Sequence, residues 1–161
     1  MIPQQIDWTH ADHKQMTRLF VRGIPAPQGS KTRMPNGAMV EGSSTTGRIK
    51  LRDWRSAVAQ DAAYEAADPF GHGPWDEPVL IHVRFSFPVA KVRAKLCQRL
   101  GSLPMSRKPD LDKLLRSTGD ALVIGGLILR DELIVAWVAD KVEVPEGEFV
   151  GAVITVQEYG L

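Results

Sequence analysis

The run Lys108-Pro109-Asp110-Leu111-Asp112-Lys113-Leu114-Leu115-Arg116-Ser117-Thr118-Gly119-Asp120 places three carboxylates and a guanidinium at spacings that could do chemistry. If a helix begins at Asp110, then Asp112, Arg116 and Asp120 fall at i, i+4 and i+8, on a polar flank beside a stripe of leucines. Further along, Leu127-Ile128-Leu129 leads into Arg130-Asp131-Glu132, which sets another acidic pair at the mouth of a following strand. Asp131 would meet Asp110 and Asp112 if that strand packs against the helix. Converging carboxylates repel one another unless a divalent cation sits between them, and oxygen-only ligands favour Mg²⁺, with Mn²⁺ also suited. Such a centre activates water and stabilises phosphoryl charge. The plainer reading of the same residues makes Asp110 a helix cap and the others exposed ion pairs of a few tenths of a kcal/mol each.

The charge balance around these residues matters for what they would act on. The chain has 161 residues and a formal net charge of only +1. That total hides segregation. Residues 22–55 carry Arg22, Lys31, Arg33, Arg48, Lys50, Arg52 and Arg55 against Glu41 and Asp53, and residues 91–108 carry six bases and no acid. The segments 56–90 and 109–161 are net acidic. Two basic segments beside an acidic block suit a protein that attracts a polyanion and holds a cation among carboxylates, which makes a nucleic-acid backbone the natural substrate. Cys97, the single cysteine, excludes an intrachain disulfide, and the N-terminus shows no apolar run like a signal peptide. No window is long enough to span a membrane. These features give the expectation of a cytoplasmic protein with no membrane partner.

The elements that must position the acidic residues follow from periodicity. Residues 1–16 are polar and aperiodic and read as an arm; residues 17–161 read as one domain. Residues 18–24 alternate as a strand and run into Pro25-Ala26-Pro27, after which a long loop extends to about Gly47 with a turn at Pro35-Asn36-Gly37. Leu51, Trp54, Val58 and Ala62 share one face of a helix over 49–67, and residues 79–88 give the clearest strand. A short basic helix is expected over 90–100. A second long helix runs from Asp110 to Gly125-Gly126, with Leu111, Leu114, Leu115, Thr118 and Leu122 as its apolar stripe. Strands over 134–144 and 149–159 read as a hairpin turning at Pro145-Glu146-Gly147. The order predicts an α+β domain: a mixed or antiparallel sheet of about four strands with two main helices packed on it.

The run KPDLDKLLRSTGDALVIGGLILRDELIVAWVADK resembles the signature of the RusA family of Holliday-junction resolvases, endodeoxyribonucleases common in phages and prophages. The basic loop VRGIPAPQGSKTR is similar to that family's N-terminal segment, and together the two matches span most of residues 20–144. The resemblance implies that Asp110, Asp112 and Asp131 are catalytic and bind the metal, with Asp120 a further metal-site acid ranked below them. It implies a catalytic Arg116 where the family carries lysine; arginine keeps the charge and can clamp a phosphate. Lys113 stands where the family usually has asparagine, and Arg130 where an acid often precedes the last aspartate. Lys31, Arg33, Lys108, Lys113 and Lys141 are the implied DNA contacts. The implied function is a Mg²⁺-dependent endonuclease that resolves four-way DNA junctions by paired nicks through metal-activated water, acting as a homodimer without a nucleotide cofactor. The alternative is a non-catalytic phage protein that binds branched DNA on the same fold. A sugar-nucleotide transferase using Asp-x-Asp would need a nucleotide-binding α/β domain, for which the chain has too few strand–helix units.

Overall fold

A computed structural model describes residues 16–29, 31–41 and 44–160, leaving aside the side chains of Lys31, Thr32, Val40 and Glu41. The arm expected over residues 1–16 lies outside these, apart from Met16, which opens the first strand. That strand, β1 (Met16–Arg22), buries Thr17, Leu19 and Val21 and exposes the residues between them, the alternation of a strand with one face on the core. Within the loop expected before Gly47, β2 (Lys31–Arg33) and β3 (Met39–Glu41) form a separate antiparallel ribbon around the Pro35-Asn36-Gly37 turn.

Helix α1 (Thr45–Ala67) starts where Ser44 caps it, its hydroxyl accepting from the Gly47 N–H at 3.1 Å. The buried stripe is the expected one, Leu51, Trp54, Val58 and Ala62. After β4 (Val79–Pro88) a 3₁₀ turn, Lys91–Arg93, leads into the short helix α2 (Ala94–Leu100) and the two-residue strand β5 (Leu103–Pro104). Helix α3 (Leu111–Ile124) follows and packs against α1. Trp54 Nε1 donates to Thr118 Oγ1 across this contact at 3.3 Å. Gly125 is required there, because a Cβ on it would lie 2.5 Å from the Ala59 carbonyl oxygen. The chain closes with β6 (Ile134–Val144) and β7 (Gly151–Glu158).

The main sheet has five strands in the order β1-β7-β4-β6-β5, one more than expected. It is mixed: β4 runs parallel to β6, and the other pairings are antiparallel. The expected hairpin of the last two strands does not form, because β4 lies between β6 and β7. The physical reason is burial. Val79, Leu80, Ile81, Val83, Phe85, Ser86 and Phe87 are all buried, so β4 is apolar on both faces and takes the centre of the sheet. The Pro145-Glu146-Gly147 turn therefore belongs to a connection that steps over the end of β4. The fold is α+β, as expected, with the sheet and both long helices sharing one core.

Candidate active site

Asp110 occupies the N-cap position of α3, with its carbonyl accepting from the Leu114 N–H at 3.2 Å, yet its side chain makes no capping bond. The carboxylate is 49% exposed and lies 3.5 Å from the Lys113 ammonium. Capping therefore does not account for this aspartate. Asp112, in the first turn, is exposed and makes no ion pair or side-chain hydrogen bond among the described residues; the positive end of the helix dipole favours its charged form there. Arg116, one turn on, is likewise exposed and unpartnered among the described residues. The polar flank expected from the i, i+4, i+8 spacing is thus present.

The segment entering α3 is held from β6. Lys141 Nζ donates to the carbonyls of Arg107 and Pro109, both at 2.6 Å. Arg107 in turn donates from Nε to Glu143 Oε1 at 3.0 Å and from Nη2 to the Pro88 carbonyl at 3.3 Å. Glu143 is completely buried, and Arg93 Nη1 lies 2.5 Å from its other oxygen, off a hydrogen-bonding line. A buried carboxylate between two guanidiniums fixes Arg107, and Arg107 with Lys141 fixes the backbone that presents Asp110. On the other side, Ser117 Oγ donates to the Ala26 carbonyl at 2.7 Å and the Gln28 N–H to the Lys113 carbonyl at 3.1 Å, docking the loop after β1 onto α3. Sequence reasoning missed Arg93, Arg107 and Glu143. Only the acid-free basic run 91–108 hinted that its charges needed a partner elsewhere.

The remaining expected residues are placed as follows. Asp120 Oδ2 accepts from Arg55 Nη2 at 3.1 Å, an ion pair tying α3 to α1. Asp131 begins the 3₁₀ turn Asp131–Leu133 before β6, exposed and without a partner among the described residues. Its neighbour Arg130 reaches Asp76 at 3.0 Å and Glu132 at 3.3 Å. Arg33 and Lys108 are exposed and unpartnered among the described residues, whereas the side chain of Lys31 lies outside them.

One chain brings Asp110 and Asp112 together but not Asp131. A Cβ built on Gly119 would lie 3.5 Å from Ile134 Cδ1 and 3.3 Å from Trp137, so the start of β6 sits beside the middle of α3, while Lys141 sits beside Pro109. The strand runs back along the helix toward Asp110, and Asp131 precedes its far end. From residue 134 to residue 141 a strand advances roughly 23 Å. Accordingly, no group of three His, Cys, Asp or Glu among the described residues could hold a metal ion.

These features can be set beside known proteins. A family model, that of the RusA endodeoxyribonuclease, matches residues 26–157. The chain belongs to the RusA endodeoxyribonuclease family. A comparison with curated proteins found no match. Membership gives this RusA chain DNA-cutting activity of the Holliday-junction-resolving kind, in a family generally dependent on a divalent metal. In the RusA chain, the donors present fit such an ion in part: Asp110 and Asp112 offer hard oxygen ligands, and the third carboxylate is not beside them. No helix among the described residues is long and apolar enough to cross a membrane.

Proposed function

We propose that this RusA chain is a Mg²⁺-dependent endonuclease that resolves four-way DNA junctions by paired nicks, working as a homodimer whose two copies complete each other's metal site. The observation that carries the reading is the pair of exposed carboxylates at the start of α3, left uncapped and held in place by Lys141 and Lys113. A hard divalent cation bound there would activate water and stabilise the charge on the scissile phosphate. Asp110 and Asp112 would hold it. Arg116 lies one turn further and would clamp a phosphate oxygen, while Lys31, Arg33 and Lys108 would neutralise flanking phosphates. Lys113 adds positive charge beside Asp110, and Lys141 acts by positioning the backbone before it. Asp120, paired with Arg55, supports α3 from the side of α1.

The dimer reading rests on the edge of the sheet. β5 pairs with β6 only at residues 142 and 143, extended by the Met105 N–H to the Lys141 carbonyl, so no described strand covers residues 134–140 on that side. Val135 and Val138 are 50% and 46% exposed along this stretch. An uncovered edge with apolar side chains is a template for another strand. Two copies related by a two-fold axis would pair these edges antiparallel, carrying the partner's Asp131 toward Lys141 and so toward Asp110 and Asp112. A two-fold enzyme also suits paired nicks in a two-fold-related junction.

The test is cleavage of a labelled four-way junction in Mg²⁺, with a linear duplex of the same sequence alongside. The wild-type protein is expected to nick the junction and spare the duplex, and Asp112→Asn to bind the junction with cutting reduced roughly 10²–10³-fold. Binding without cutting by the wild type would favour the non-catalytic branched-DNA reading. A folded Asp112→Asn protein that cuts at the wild-type rate would remove the carboxylates from the mechanism.

A further inference from the structure

Beside the Asp110 segment lies a cavity of about 600 Å³, enclosed by the loop after β1, the first turns of α1 and the chain entering α3. Its walls include Pro25, Phe87, Met105 and Pro109. Its rim carries Lys50, Arg107, Lys108 and Lys113, and no acidic residue lines it. Gln28 also lines it. The side-chain oxygen of Gln28 is buried and accepts no hydrogen bond, although its backbone is fixed to Lys113. A buried acceptor without a donor costs free energy that an incoming donor recovers. Pro109 and Lys113 bracket Asp110 and Asp112 in the chain, so whatever fills the cavity lies next to the cutting site.

The apolar walls fit a flat uncharged group, the basic rim fits phosphates on either side of it, and the orphaned oxygen calls for a donor. A nucleotide with its base turned out of the helix offers all three. Bases at a branch point have already lost part of their stacking, which lowers the cost of extrusion. We infer that this cavity receives an unstacked nucleobase of the DNA beside the cut, and that Gln28 Oε1 accepts from its exocyclic amino group, so that cytosine or adenine is preferred over thymine. The inference rests on the endonuclease reading above and adds to it a base-selecting subsite.

The experiment uses four-way junctions that differ only in the nucleotide at the cut, together with a junction carrying fluorescent 2-aminopurine there. The wild-type protein is expected to cut the cytosine and adenine junctions roughly tenfold faster than the thymine one. Gln28→Leu should cut all of them at about the thymine rate, and Gln28→Glu, which keeps an acceptor, should retain the preference. In metal-free buffer, 2-aminopurine fluorescence should rise on binding as the base leaves the stack. Equal wild-type rates, a preference that survives in Gln28→Leu, or an unchanged fluorescence would overturn the subsite. Should the wild type cut no junction, the endonuclease reading would fail instead, and the fluorescence would still decide whether the cavity takes a base.

Discussion

Asp110 stands at a helix N-cap and leaves its carboxylate free of the backbone, which separates a chemical role from the structural one its position suggests. Both readings were open in the sequence, since aspartate is a favoured cap and Asp-x-Asp recurs by chance. What the sequence could not display is the support: Lys141 and Glu143 lie about thirty residues beyond the aspartates they position, and their partners become visible only when β6 is laid beside the segment entering α3. Lys141 is the residue that distinguishes positioning from DNA contact. Lys141→Met keeps the stem and removes the ammionium that holds two carbonyls. The expected outcome is cutting slowed roughly tenfold with junction affinity changed less than about threefold, because a phosphate contact is not what is lost. Gel-shift binding and single-turnover cutting on the same junction measure the two; an equal loss in both would assign Lys141 to the DNA.

Elements with one clear period were readable before any coordinates. β1, α1, β4 and α3 follow from alternation or from a stripe of apolar residues, and the limits of α3 from Asp110 and Gly125. Strand order was not readable, because turn chemistry at Pro145-Glu146-Gly147 fits a hairpin as well as a connection that steps over a buried strand. The contact that seals β7 to β1 also depends on one residue with no visible pattern. Gly151 has φ +149°, and a Cβ there would fall 1.9 Å from the Val21 carbonyl oxygen. Gly151→Ala must push the two strands apart at the end of their ladder. A loss of roughly 2–4 kcal/mol is expected in equilibrium denaturation, larger than for a typical surface substitution. A loss below about 0.5 kcal/mol would show that β1 is not held as described.

The whole molecule explains why a net charge of +1 gave no hint of a DNA enzyme. Bases gather in the loop and helix regions around the start of α3, acids gather in and after it, and the two nearly cancel in the sum. The convergence of Asp131 with Asp110 and Asp112, expected from strand-on-helix packing, is not met within one chain, because β6 runs back along α3 and leaves Asp131 at the far end. The uncovered edge of β6 supplies the missing geometry if a second copy pairs there. That claim is tested most directly by mixing two inactive proteins, Asp112→Asn and Asp131→Asn, under conditions of subunit exchange and assaying a four-way junction in Mg²⁺. With sites shared between copies, each mixed dimer holds one wild-type site and one doubly altered site, so nicking should return to roughly a quarter of the wild-type rate. A mixture as inactive as either variant alone, from chains shown to exchange, would contradict the shared site.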